Sequence, residues 1–257
     1  MKAGLALLIL MFTIPAAGFA AAGSQPTKRK IQTSFGSVLY TVIGQNLNDK
    51  DTSPVLIAGL HGYGIDESQM RTLVAIEDLR RPYIYVAVRG FHDLGDNSYG
   101  WFPVSLDNGQ LQITAQDLDQ AVARLSEVLS HLNIITNTET ERTFILGYSQ
   151  GATLAIGYSL LKPSRIGGCA ALAGTILPHF IEGIKTKGEY ADSKLFIGHG
   201  TLDHFISVEG MRSSIEALRS VGVRPTYREY RIPHVVSPAQ RNINCICSSE
   251  CIFFFEL

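Results

Sequence analysis

At 257 residues the chain is long enough to bury the core of one large α/β domain. Its 22 Lys and Arg balance 23 Asp and Glu, and a formal charge of -1 offers no electrostatic handle for nucleic acid or another polyanion. With 46% hydrophobic and 18% charged residues it is neither a disordered nor a fibrous sequence, and it carries no internal repeat or low-complexity linker.

The first residues read as an address rather than as structure. Lys2 precedes an uncharged apolar stretch over 5–14, then Pro15 and the small residues of 16–22. This is the layout of a secretory signal with cleavage choices near Ala20 or Ala22, which makes 1–22 a signal peptide and 23–257 a single exported catalytic domain, periplasmic or extracellular. The rival is an uncleaved anchor, since 3–23 is uncharged and nearly spans a bilayer. Pro15 and the cluster Lys28-Arg29-Lys30, on the wrong side for the positive-inside tendency, weigh against it. The mature chain is therefore expected to make no stable membrane insertion.

Residues 32–43 alternate as a strand or hairpin, and 55–60 form a continuous apolar run of the kind buried on both faces. Helical spacing follows over 66–80, then a second buried strand over 83–88. A segment rich in Gly, Asp and Asn, 89–109, holds the single tryptophan, Trp101. Leu118, Val122, Leu125 and Leu129 mark an amphipathic helix over 114–132. Strands are expected at 143–146, 168–172, 195–198 and 226–232, with helices at 152–156 and 208–220. Alternating strands and helices imply a mainly parallel sheet covered by helices on both faces.

The strand at 143–146 runs straight into Gly147-Tyr148-Ser149-Gln150-Gly151, and a helix of small residues follows. Strand, Gly-x-Ser-x-Gly and helix together describe a nucleophile elbow, in which a sharp turn lifts the serine hydroxyl above the sheet edge. A serine needs a base within reach and the base needs an acid to hold its tautomer. In this arrangement they follow in the order Ser, Asp or Glu, His. Asp203 lies just beyond the 195–198 strand and His234 just beyond the last one, both at strand ends where open α/β sheets build their sites. The rivals fit less well. Asp192 precedes its strand, His199 sits in a Gly-His-Gly turn suited to polar support, and His204 adjoins the acid, where neighbours rarely face each other.

An oxyanion formed on the substrate needs two backbone donors. The N–H of Gln150, directly after the serine, is one. The other is expected from His61-Gly62-Tyr63-Gly64 after the 55–60 strand, with Tyr63 as the donor and His61 as support. Such a mechanism calls for neither metal nor cofactor. Cys169 reads as a small core residue. Cys245, Cys247 and Cys251 crowd the tail, where an export compartment permits a disulfide and no histidine stands at metal-ligand spacing.

Leu60-His61-Gly62-Tyr63-Gly64, Gly147-Tyr148-Ser149-Gln150-Gly151, Gly200-Thr201-Leu202-Asp203 and Arg231-Ile232-Pro233-His234 together resemble the phospholipase/carboxylesterase family, which includes carboxylesterases and acyl-protein thioesterases and lies near the dienelactone hydrolases. The resemblance covers roughly 55–237. It implies an α/β-hydrolase fold and hydrolysis of carboxylic esters through an acyl-serine, with Ser149, Asp203 and His234 as triad and Tyr63 and Gln150 as oxyanion donors. Gly100-Trp101-Phe102 resembles the family's short aromatic signature, which implies that Trp101 and Phe102 line the substrate groove. Pro233 stands where that family usually has Gly, Ile206-Ser207 where Val-Pro is common, and the Cys- and Phe-rich end over 245–257 departs from its usual terminal amphipathic helix, leaving a variant helix or a poorly ordered extension.

About twenty residues separate the strands at 168–172 and 195–198, too few for a large lid. An open site suits short to medium acyl esters. Thioester or lysophospholipid hydrolysis, acyl transfer on the same triad, and a catalytically silent binding protein are the alternative readings.

Overall fold

The computed structural model describes residues 26–46, 54–70, 82–107, 110–163, 166–184, 194–236, 243–248 and 250–255. Residues 1–22, expected as a signal peptide, most of the helix expected over 66–80, Asp192 and residues 237–242 lie outside them.

An eight-stranded sheet organises the chain. Its strands in chain order are β1 (Thr27–Thr33), β2 (Gly36–Asn46), β3 (Val55–Leu60), β4 (Tyr83–Val88), then β9 (Thr143–Tyr148), β10 (Gly168–Leu172), β11 (Leu195–Gly200) and β12 (Thr226–Tyr230). Two small hairpins intervene: β5 (His92–Gly95) with β6 (Ser98–Gly100), and β7 (Ser105–Asp107) with β8 (Gln110–Gln112). The sheet order is β1-β2-β4-β3-β9-β10-β11-β12, with β1–β2 and β2–β4 antiparallel and every later pairing parallel. This is the α/β-hydrolase architecture expected from the strand and helix alternation. The first strand, read from 32, begins five residues earlier and forms a hairpin with β2 along Thr27↔Val42 to Thr33↔Gly36.

The helices are α1 (Ala115–Thr136), α2 (Gln150–Leu161), the short α3 (Pro178–Glu182) and α4 (Val208–Ser220). The Thr114 hydroxyl accepts from the Asp117 N–H and starts α1, and Asn137 in the left-handed region ends it one turn later than the apolar pattern does. Alternate residues of the central strands serve two cores. Leu56, Ala58, Leu60, Ile145 and Ile197 face α1, α2 and α4, packing on Leu118, Leu125, Leu154, Met211 and Ile215. Val55, Ile57, Phe144, Leu146 and Phe196 face the other way, onto Ile65, Met70 and Val236. Strands apolar on both sides are the physical reason the runs at 55–60 and 143–148 show no alternation.

The tail differs from expectation. Its backbone forms an antiparallel hairpin, β13 (Ile243–Ser248) with β14 (Glu250–Phe255), rather than a helix. β-branched and aromatic residues at alternate and successive positions favour strand there.

One buried ion pair ties the β4 end to the segment after β3. Glu67, fully buried in a 3-10 turn, meets Arg89 through two hydrogen bonds, Nε to Oε2 at 2.7 Å and Nη2 to Oε1 at 2.8 Å. Burial alone would raise the Glu67 pKa, but the bonds from Arg89 and the nearby cations outweigh it and hold the carboxyl below its ordinary value. Arg89 also stacks over the Tyr99 ring and donates Nη1 to its hydroxyl at 3.1 Å. Replacing Arg89 with Leu strands a buried carboxylate, so urea unfolding should show a loss of about 3–5 kcal/mol; an unchanged midpoint would show that the pair is energetically neutral.

Candidate active site

The turn at the end of β9 is the sharpest feature of the backbone. Ser149 stands at φ 54 and ψ -119, a left-sided conformation that L residues other than Gly rarely hold. Such strain costs about 1–3 kcal/mol and persists only where the surroundings over-determine it. Here they do. The Ser149 N–H donates to the Leu172 carbonyl at 2.9 Å, and the Ser149 carbonyl accepts from Thr153 N–H at 3.0 Å. A Cβ on Gly147 would collide with the backbone of Gly151 and Ala152, and one on Gly151 would run into the Leu60 and His61 carbonyls. The first turn of α2 thus lies directly against the loop after β3, and Gly at 151 is what lets the two backbones touch.

The three side chains singled out from sequence meet in one chain of hydrogen bonds. His234 donates Nδ1–H to Asp203 Oδ2 at 2.6 Å, and its Nε2 accepts from the Ser149 hydroxyl at 3.0 Å. The second oxygen, Asp203 Oδ1, accepts the N–H groups of Phe205 and Ile206, each at 2.9 Å. Burial pushes the Asp203 pKa up, but the His234 bond and these two N–H groups prevail, keeping the carboxyl below its ordinary value. Asp203 and His234 are buried, while Ser149 is half-buried and within reach of a ligand.

Bringing His234 to Ser149 takes more than strand order. β12 lies three strand spacings from β9, about 14 Å at the usual separation. The segment after β12 folds back over the sheet edge. Leu202 N–H donates to the Ile232 carbonyl at 3.1 Å, joining the acid loop to the histidine loop. Tyr148 donates its hydroxyl to the His234 carbonyl at 2.9 Å, and Val236 inserts into the core on the Tyr148 side. Tyr148 was not legible as a site residue: in sequence it is only the variable position of Gly-x-Ser-x-Gly. His199 supports the acid loop, donating Nε2–H to the Ile206 carbonyl at 2.9 Å, 3.6 Å from Asp203 Oδ2. His204 is exposed and makes no part of the chain of bonds.

Tyr63 and Gln150 lie on the two backbones that meet at Gly151. Among the described residues neither backbone N–H has a hydrogen-bond partner. The loop carrying Tyr63 is held by His61, whose Nε2 accepts from Gly90 N–H at 2.8 Å, leaving Nδ1–H to donate to the Gly62 carbonyl at 2.7 Å. Complete burial lowers the His61 pKa to about 4, more than offsetting the Gly62 bond and nearby carboxylates.

Trp101 and Phe102, expected to line the groove, are each only 2% exposed and belong to the core. Trp101 donates Nε1–H to the His61 carbonyl at 2.7 Å and packs edge-on against Phe91. The Gln150 side chain holds both, accepting from Trp101 N–H at 2.8 Å and donating to the Phe102 carbonyl at 2.9 Å. An indole whose polar end must be satisfied is drawn inward by the free carbonyl of the loop, so these residues brace the site from behind. Among the described residues of the two loops, Leu202, Phe205 and Val235 are large apolar side chains that stand exposed, with the Phe205 ring 5.4 Å from the His234 imidazole. Sequence reasoning missed them because each adjoins or follows a site residue in a loop with no periodicity.

Residues 46–241 match the phospholipase/carboxylesterase family, more than half of the chain. The chain belongs to that family. A rice (Oryza sativa subsp. japonica) protein named as a probable inactive carboxylesterase is 24% identical over 137 residues, 52% of this chain and 56% of its own. Acyl-protein thioesterase 1 of Candida albicans is 27% identical over 131 residues, 48% and 55% of the two chains. The chain therefore spans little more than half the length of these curated relatives. In fold, it is similar to the crystal structure of Arabidopsis thaliana SOBER1, with a TM-score of 0.60, 22% identity, and 73% and 94% of the two chains covered.

His61 makes the site's frame sensitive to acid. Its folded pKa, about 4, lies below the unfolded value of about 6.5, so the unfolded chain takes up the proton first as pH falls. The stabilisation is complete above pH 6.5 and is lost on the way to pH 4, by about 3 kcal/mol in all. Urea unfolding across that window should fall more steeply for the natural protein than for His61→Asn, and parallel profiles would refute the assignment.

Proposed function

We propose that this protein is a serine ester hydrolase working through an acyl-serine intermediate. The observation that carries the reading is the chain of hydrogen bonds from Asp203 through His234 to Ser149. His234 Nε2 takes the hydroxyl proton as Ser149 Oγ attacks the acyl carbon, and Asp203 keeps the imidazole in the tautomer that can do so. The negative charge on the carbonyl oxygen is received by the Tyr63 and Gln150 N–H groups, each worth about 2.7–4 kcal/mol in the transition state. His234 returns its proton to the departing alcohol. It then takes one from water, which attacks the acyl carbon, releases the acid and restores Ser149.

The partial exposure of Ser149 and the exposed apolar side chains of Leu202, Phe205 and Val235 in the adjoining loops support short to medium acyl esters as substrates. Among the described residues no helix is long and apolar enough to cross a membrane. p-Nitrophenyl esters from acetate to palmitate test the reading. Hydrolysis should peak among the shorter chains and fall roughly 10⁶-fold in kcat on Ser149→Ala. A maximum at palmitate would overturn the chain-length proposal. Activity undiminished in Ser149→Ala would overturn the nucleophile, and labelling by a fluorophosphonate should likewise depend on Ser149.

The same proposal includes export with removal of residues 1–22, motivated by Lys2, the apolar stretch 5–14 and the small residues that follow. N-terminal sequencing of the protein recovered from outside the cytoplasm should begin between Ala21 and Gly23; an intact Met1 would sink the cleavage assignment.

A further inference from the structure

His234 stands on a loop with few attachments. Of residues 231–236 only His234 and Val236 are buried. Among the described residues, the main chain of this segment has two hydrogen bonds to other parts of the molecule. Leu202 N–H donates to the Ile232 carbonyl at 3.1 Å, and the Tyr148 hydroxyl donates to the His234 carbonyl at 2.9 Å. The other two are local turns, from Ile232 N–H to the Tyr230 carbonyl and from Val235 N–H to the Pro233 carbonyl, each at 2.8 Å. Pro233 has no N–H to add.

The two attachments lead to different places. The Leu202 bond ties the histidine loop to the loop of Asp203, and Gly200 makes room for it: a Cβ there would collide with the Ile232 and Pro233 carbonyls. The Tyr148 bond ties the histidine loop to β9, at the residue directly before Ser149. Tyr148 is buried, and its ring lies 5.5 Å from the His234 imidazole. Burial and the charge of Asp203 push its pKa above the ordinary value, so the phenol keeps the proton it donates. Ser149 and the anchor of His234 are thus consecutive residues at the end of one buried strand.

We propose that Tyr148 is a positioning residue that sets the distance between His234 Nε2 and Ser149 Oγ, while the Asp203–His234 pairing is held independently through Leu202 and Ile232. The distance at stake is 3.0 Å. A misplacement of about 1 Å can cost roughly 100-fold in rate, so a loop shift of about half that costs roughly tenfold. The catalytic consequence rests on the hydrolase reading; the geometric one does not.

Tyr148→Phe keeps the ring and removes only the anchor. In p-nitrophenyl acetate hydrolysis its kcat should fall about tenfold with KM unchanged, because the buried hydroxyl touches no substrate. Nitrogen NMR of the His234 imidazole supplies a readout that needs no turnover. With the ring neutral, Nε2 in Tyr148→Phe should move toward its resonance in Ser149→Ala, where no hydroxyl remains to donate to it, while Nδ1 keeps its Asp203 partner and its place. Tyr85→Phe, which takes a buried hydroxyl from the Met70 carbonyl in the same core, should change neither kcat nor Nε2. An unmoved Nε2 in Tyr148→Phe would overturn the proposal, whatever the esterase result. So would a lower melting temperature with kcat intact, the mark of a tyrosine that only satisfies a buried carbonyl. Displacement of Nδ1 together with Nε2, or an equal effect of Tyr85→Phe, would overturn it as well. Absence of hydrolysis by the natural protein would count against the hydrolase reading alone and leave Nε2 to decide.

Discussion

The strained backbone at Ser149 is the constraint on which the rest of the site depends. A residue at φ 54 that is not glycine is held there by bonds from both neighbours, from β10 through Leu172 and from α2 through Thr153. The turn works only because Gly147 and Gly151 leave no side chain at the two crowded points. Gly151 has a second consequence. By letting α2 press against the Leu60 and His61 carbonyls, it sets the Tyr63 backbone beside that of Gln150, so the elbow and the neighbouring loop form one rigid unit.

Behind that unit stands a layer of polar bonds among buried groups. His61 accepts from Gly90 and donates to Gly62; Trp101 donates to His61; the Gln150 side chain takes Trp101 and Phe102 in hand. Each of these bonds joins a buried donor to a buried acceptor, the condition for such a network to rigidify rather than destabilise a core. The Glu67–Arg89–Tyr99 group continues the same bracing toward the outer hairpins.

Much of this was legible beforehand, and for local reasons. The apolar runs at 55–60, 83–88 and 143–148 read as buried strands because both faces of each are covered. Ser149, Asp203 and His234 could be picked out because each lies at the end of a strand in a chain order with few competitors. Trp101 and Phe102 were misread as groove residues. Their place in a long loop suggested exposure, and only the position of the His61 carbonyl and the Gln150 side chain shows why they turn inward. The tail was expected as a helix or loose extension and pairs as a hairpin, since an apolar run so short has no period to separate the two.

By itself, then, the sequence determined the order of strands and helices, the elbow and the three strand-end residues, because hydrophobic pattern and glycine placement act over a few neighbouring positions. Tertiary structure alone decided how the chain after β12 reaches back about 14 Å to Ser149, which tyrosine and histidine steady the loops, and which way the aromatic side chains face. It also decided that Arg124 Nε would be buried beside Phe35 with no acceptor among the described residues. These outcomes depend on contacts between segments dozens of residues apart, and no local pattern encodes which carbonyl will be within 3 Å of which donor.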